Sequence, residues 1–367
     1  MNDALNVTFL RDRRHGGPAG QAAAVADGLA AFVAAATSSV DIAIYDFRLS
    51  DPALVAPVIG SLTAAADRGV TVRIGYDAGK PAVATARTFA ALQADPAPPG
   101  TGDFLTSQLD GTKVTLQPIK AGGQLMHSKY VVRDPASARA AVWTGSANFT
   151  DDAWSRQENN IITIANHTMA ASYRKDFEEM WASGTITGAG RDDIGRTRIG
   201  GHSVGWDFCP GDGPAVNLAL AARVRAARNR LVVAAMVLTS HEVLGALAAA
   251  VDRGVPLTGI YDSGQMDPIV KQWRLNPKDA AVVADWEKVS ARLTHKRSLP
   301  YSPTGTHNFM HLKVLLSDDV LTTGSYNFSA NAEHNAENQL HVSDPATVSA
   351  YADYLDTVIA AYPQPVM

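Results

Sequence analysis

The chain has a single cysteine, Cys209, so no intramolecular disulfide framework holds it together. A lone thiol of this kind reads as a small buried apolar residue. No apolar run approaches the ~20 residues that cross a bilayer, and the most apolar helical stretches, LAAFVAAA and VLGALAAAV, are far shorter. Positive charge is not in excess. The formal net charge is −4 over 367 residues, so no global basic field draws in nucleic acid, although a local basic groove stays open. The first residues, MNDALNVTFLRDRRHGG, lack the apolar stretch of a signal peptide. These absences lead us to expect a protein with no transmembrane segment, cytoplasmic if this start is the native one. The length allows two domains, each with its own core.

Against that background, one signature occurs twice. MHSKYVVRD places His127, Lys129 and Asp134, and GSANF follows with Gly145, Ser146 and Asn148. MHLKVLLSD places His311, Lys313 and Asp318, and GSYNF follows with Gly324, Ser325 and Asn327. The duplication extends beyond the motif. AADRGVTVRIGYDAG (65–79) matches AVDRGVPLTGIYDSG (250–264), and FLRDRRHGGPA resembles FCPGDGPA. After Gly-Ser the copies also share Ala153/Ala332 and the pairs Glu158-Asn159/Glu337-Asn338, with 12 residues from serine to glutamate in both.

Each copy alternates strand and helix patterns. In the first, VDIAIYDF, TVRIGYD, KVTLQPI, SKYVVRD, AAVWTGS and NNIITIA read as strands. A helix starts at Asp51-Pro52, and another near 169–182 closes the unit. In the second, LVVAAMV, PLTGIYD, KVLLSDD, VLTTGS and NQLHV read as strands, with helices over 241–252 and 346–361. The expected fold is α/β: two pseudo-twofold-related α/β/α sandwich lobes with mixed sheets. The first lobe covers 1–184, a Gly- and Thr-rich linker 185–205, and the second lobe 206–367. Residues 95–112, rich in Pro and Gly, read as a surface loop. Residues 285–310 read either as a solvated helix and loop or as a basic, tyrosine-containing loop that grips a phosphate-bearing substrate through Lys296 and Arg297.

On a strand, residues i and i+2 share a face, so His127 projects with Lys129 and His311 with Lys313, as surface-facing groups. Such a pair suits a phosphate. The ammonium neutralises a non-bridging oxygen, and the imidazole attacks phosphorus or protonates a leaving oxygen. Two half-sites would set one imidazole on either side of the phosphorus, and the lysines would supply the positive charge without a metal or other cofactor. Ser146, Asn148, Ser325 and Asn327 fit as hydrogen-bond donors or as braces for the histidines. Glu158 and Glu337 fit as acceptors of a histidine Nδ1–H. Asp134 and Asp318, at the strand ends, fit structural hydrogen bonds or ion pairs near the lysines. His307 and His311 have a zinc-like i, i+4 spacing, but no third ligand is evident and the strand pattern after them denies a shared helical face.

The chain resembles the phospholipase D superfamily, whose members carry two such His-Lys-Asp motifs, over nearly its whole length. The resemblance implies two lobes around one site, a phosphohistidine route, and His127 as nucleophile with His311 as acid/base; the residues alone leave that assignment open. It also implies a phosphodiester substrate and leaves its class open; the acidic net charge and modest basic content favour a phospholipid, with nucleic acid as the alternative. A non-catalytic binding member is the third reading. A chain carrying both halves can work as a monomer. Ten residues separate Asp134 from Gly145 and five separate Asp318 from Gly324, a departure from the family's usual interval that falls in a turn.

Overall fold

Runs of β-branched and aliphatic residues with no polar face dictate strands covered on both sides, and these form the centre of each half. The computed structural model describes residues 4–79, 100–191, 193–302 and 305–363. Its first half contains β1 (Ala4–Leu10), β2 (Ser39–Ile44), β3 (Phe47–Arg48), β4 (Thr71–Asp77), β5 (Thr115–Ile119), β6 (Lys129–Arg133), β7 (Ala141–Gly145), β8 (Phe149–Thr150) and β9 (Asn159–Ala165). Seven of them form one sheet in the order β1-β9-β7-β6-β2-β4-β5. The second half contains β10 (Gly195–Ile199), β11 (His202–Cys209), β12 (Leu231–Ala235), β13 (Leu257–Asp262), β14 (Thr294–Lys296), β15 (Lys313–Ser317), β16 (Val320–Gly324) and β17 (Glu337–Val342), in the order β10-β11-β17-β16-β15-β12-β13-β14. Both sheets are mixed. β2, β4 and β5 run parallel, as do β12, β13 and β14, and the remaining neighbours are antiparallel. This is the expected α/β architecture.

Helices begin where their caps stand. Asp51 accepts from Ala53 N at the start of Pro52–Asp67, Ser240 from Val243 N at His241–Asp252, and Asp344 from Thr347 N at Pro345–Ala361. One apolar cluster lies outside each sheet. A third joins the two inner faces, where Tyr130, Tyr173 and Phe177 of the first half share a core with Phe208, Leu340, Tyr351 and Leu355 of the second.

Two expectations of local structure need revision. The stretch expected as linker carries β10 and the start of β11, joined by Gly200 and Gly201, both at positive φ (58° and 87°). Two glycines between alternating strands favour a tight hairpin, and the weakly apolar GRTRI hid the first of those strands. Within the expected loop at 95–112, Thr101–Leu109 is helical and buries Leu105 and Leu109; residues 95–99 lie outside the described residues.

Candidate active site

Lys129 and Lys313 open β6 and β15, with each histidine two residues earlier. None of the four faces the surface as expected: His127 is 0%, Lys129 1%, His311 2% and Lys313 1% exposed. Each lysine Nζ donates to its own histidine's carbonyl at 2.7 Å. The backbone of each motif is held by an aspartate that sequence reasoning passed over. Asp77 accepts from Met126 N at 2.7 Å and Asp262 from Met310 N at 2.8 Å. Both are the aspartates of the repeated Tyr-Asp, which was the available signal. Burial pushes the Asp262 carboxyl up to about 6, against hydrogen bonds from Ser298 and Met310.

The halves interlock at the histidines. His127 N donates to Ala336 O at 2.8 Å, and His311 N to Glu158 O at 3.1 Å. The side chains cross over as well. His127 Nδ1 meets Glu337 Oε2 at 2.8 Å, whereas His311 Nδ1 meets Asn159 Oδ1 at 3.0 Å. Ser325 Oγ donates to Glu337 at 2.6 Å and Ser146 Oγ to Asn159 at 2.8 Å, so the two serines brace the groups that hold the histidines. The same serines accept from Asn338 N and Asn160 N.

This register corrects the expectation for Glu158. Glu158 and Glu337 match in sequence spacing but not in space. Copy one reads Glu-Asn-Asn where copy two reads Glu-Asn, and the added residue sets Asn159 in the place of Glu337. Glu158 moves to the place of Ala336 and turns its carboxylate away from the histidines. There it accepts from Lys296 Nζ at 2.7 Å, Asp12 N at 3.2 Å and Tyr362 Oη at 2.5 Å. The expectation that Lys296 grips substrate is corrected by the same contacts. Its Nζ is buried between Glu158 and Asp12 (3.1 Å) and also donates to Arg156 O. Arg297 beside it is exposed.

Asp134 and Asp318 sit away from the lysines. Asp134 accepts from Thr37, Ser38 and Ser39, and Asp318 from the backbone N–H groups of Arg228, Asn229 and Arg230. Each clasps the turn that leads into the central strand of its lobe, from a backbone at φ 47° or 51°. Burial raises their pKa values, but these hydrogen bonds outweigh it and hold both carboxyls below the usual range.

The cleft beside His311 is lined by Tyr45, Asp46, Arg48, Asn148, Tyr301 and Phe309, among others. Tyr45 also meets His127 edge-on, with ring centroids 4.8 Å apart, and lies 5.0 Å from Lys129 Nζ, so both histidines adjoin this cleft. Oδ1 of Asn148 and of Asn327 is buried without a hydrogen-bond partner among the described residues. Arg48 is held bidentately by Asp46 at 2.7 Å. His307 lines the cleft too, stacked 5.0 Å from Tyr301, on an extended segment and not on a helix with His311. Tyr45 and Arg48 stand just beyond the C-terminal end of the central strand, where α/β folds place their sites; position in the topology was the signal for them. Among the described residues, no group of three or more His, Cys, Asp or Glu is placed to hold a metal ion, and no helix is long and apolar enough to cross a membrane.

Residues 29–181 and 220–359 match the domain family described as the PLD-like domain of cardiolipin synthase. No curated protein sequence matches the chain. Among solved structures, phosphatidylserine synthase of Haemophilus influenzae Rd KW20 is similar at TM-score 0.64 and 12% identity, covering 96% of this chain and 85% of that one. Polyphosphate kinase of Porphyromonas gingivalis is similar at TM-score 0.56 and 14% identity; 96% of this chain is covered, but only 46% of the kinase. Nuc of Salmonella typhimurium, a phospholipase D family member, aligns over 45% of this chain and 99% of its own at 20% identity and TM-score 0.34. For the synthase and the kinase, the likeness at these identities is one of fold.

Proposed function

The chain belongs to the phospholipase D superfamily, and on that premise we propose that it is a phosphodiesterase that cleaves a phospholipid, or transfers its phosphatidyl group, through a covalent phosphohistidine. The unequal partners of the two histidines carry the assignment of roles. Glu337 accepts Nδ1–H of His127, which leaves the Nε2 lone pair for attack and sets a carboxylate against the positive charge that the imidazole gains when it bonds phosphorus. Asn159 fixes the His311 tautomer and adds no charge, so no carboxylate holds back the proton that His311 passes to the leaving alcohol.

In the first step His127 Nε2 bonds to phosphorus, the bond to the leaving alcohol breaks, and His311 supplies that alcohol's proton. In the second step His311 removes a proton from water or an acceptor alcohol, the new oxygen bonds to phosphorus, and His127 is released. Lys129 and Lys313 stabilise charge on the non-bridging oxygens, and Asn148 and Asn327 hydrogen-bond the same group. The aromatic walls of the cleft and the net charge of −4 support a lipid over a long polyanion.

The roles are tested with bis(p-nitrophenyl) phosphate, whose leaving group needs no acid. His311→Ala should release about one equivalent of nitrophenolate and then stall with a p-nitrophenyl phosphoryl group on His127, detectable by mass spectrometry; His127→Ala should release none. A burst from His127→Ala instead would reverse the roles, and sustained turnover in both variants would sink the phosphohistidine. Turnover should be undiminished in EDTA. Purified protein offered phosphatidylcholine, phosphatidylglycerol, and single- and double-stranded DNA should release headgroup and leave DNA uncut. The opposite result would make it a nuclease by the same chemistry.

A further inference from the structure

A second pocket, of about 530 Å³, opens on the outer face of the second sheet and shares no lining residue with the cleft at His311. It is within the size range of small-ligand sites. The strand register builds its floor. Arg196 stands opposite Gly205, Gly205 opposite His341, and His341 opposite Thr322, a single row across four strands. Gly205 leaves the middle of that row without a side chain. His341 is fixed between Asp207, which pairs with Nε2, and Thr322 Oγ1, 3.1 Å from Nδ1. Burial lowers the His341 pKa, against the hydrogen bond with Asp207. Arg223 enters from the last turn of helix Gly213–Ala226, and Arg196 is exposed. Two guanidinium groups therefore face one carboxylate. Nη1 of Arg223 is buried with no hydrogen-bond partner among the described residues. A buried guanidinium N–H of this kind calls for an acceptor.

The first lobe supplies the control. β1 pairs with β9 as β11 pairs with β17, and the places of Gly205, Asp207, His341 and Thr322 are taken by Asn6, Thr8, Thr163 and Trp143. These line a pocket of about 510 Å³. Its one cation, Arg133, lies over the Phe32 ring and donates to the carbonyls of Phe32 and Arg139. The fold thus makes a hollow in both lobes, and only the second places uncommitted guanidinium groups in it.

We propose that the outer pocket of the second lobe binds the phosphate monoester group of a small ligand, with Arg196 and Arg223 gripping its oxygens over the Gly205 floor. The group is the same whether it arrives on a soluble ester or on phosphatidic acid in a membrane. The test is calorimetric titration of the full chain with inorganic phosphate and with glycerol 1-phosphate, alongside co-sedimentation with phosphatidylcholine vesicles containing phosphatidic acid. The variants are Arg196→Gln, an exposed position, and Gly205→Val. A Cβ at Gly205 meets nothing nearer than 3.5 Å, so the strand tolerates that change while the floor is filled. Wild type should show a phosphate site that weakens at least ~10-fold in both variants, while turnover of bis(p-nitrophenyl) phosphate changes by less than about twofold. Weakening seen with glycerol 1-phosphate assigns a soluble ester; weakening confined to inorganic phosphate and vesicles assigns the lipid. Identical phosphate isotherms in wild type and both variants would overturn the proposal, as would equal losses of binding and turnover.

Discussion

The two lobes share a sheet order, a buried histidine-lysine pair and a serine brace, yet each histidine depends on the other lobe for its Nδ1 partner, and the partners differ. The first lobe's histidine receives a carboxylate and the second lobe's an amide. Duplication kept the hydrogen-bond geometry and divided the electrostatics. A two-step displacement needs that division, because one group must bear a positive charge through an intermediate while the other passes a proton both ways. The outer pockets repeat the lesson: equivalent hollows, with the guanidinium tied to the wall in one lobe and left open to the pocket in the other.

The comparison can be broken most directly at Glu337. Glu337→Gln keeps the hydrogen bond and removes the charge, and should lower kcat by ~10³-fold or more. Asn159→Ala removes only an amide brace and should cost ~10-fold to 10²-fold. Equal losses in the two variants, measured with the same substrate, would show the halves to be equivalent. Next in size is Lys296→Met. It strands the Asp12 and Glu158 carboxylates in the interior and should destabilise the chain by about 3–5 kcal/mol in urea unfolding. Gly145→Ala and Gly324→Ala should do equal harm, because a Cβ would stand 2.1 Å from Asn160 O in one and 2.2 Å from Asn338 O in the other. Each should lose about 1–3 kcal/mol, and unequal losses would show that the two Gly-Ser turns carry different strain.

The smallest effect concerns pH. The Asp134 and Asp318 carboxyls are held below the ordinary range, so their stabilisation is fully present above the unfolded value near 3.8 and is lost as pH falls through the folded values. Asp134→Asn should therefore cost about 1–2 kcal/mol at pH 7 and progressively less below pH 4. Asp318→Asn, with fewer bonds to lose, should cost less. A gap that stayed constant with pH would rule out the carboxylate as its source.

Much of this was legible in the residues themselves. Strong apolar periodicity announced the central strands, Asp51-Pro52 announced its helix, and each motif lysine opens a strand two residues after its histidine, although all four side chains are buried and not surface-facing. Three failures have distinct physical causes. Glu158 was misplaced because one added residue in an irregular turn shifts register in space while the spacing in sequence still matches. Lys296 looked like a surface cation because a string of residues does not show that Asp12 and Glu158, far away in the chain, close around it. The hairpin at Gly200-Gly201 was overlooked because an edge strand needs little apolar content, although the paired glycines marked the turn.

The buried Lys296 cluster also bears on how the chain is made. It draws on Asp12, Glu158, Lys296 and Tyr362, so its carboxylates leave the ribosome long before the ammonium that neutralises them. Until residue 296 has emerged, Glu158 lacks its ammonium partner and Asp12 has only Arg156, at 3.7 Å. The cluster at that end of the first half is therefore completed only after residues 296 and 362 have been made. Synthesis of the second lobe thus becomes a condition for setting the backbone of Glu158, whose carbonyl holds His311.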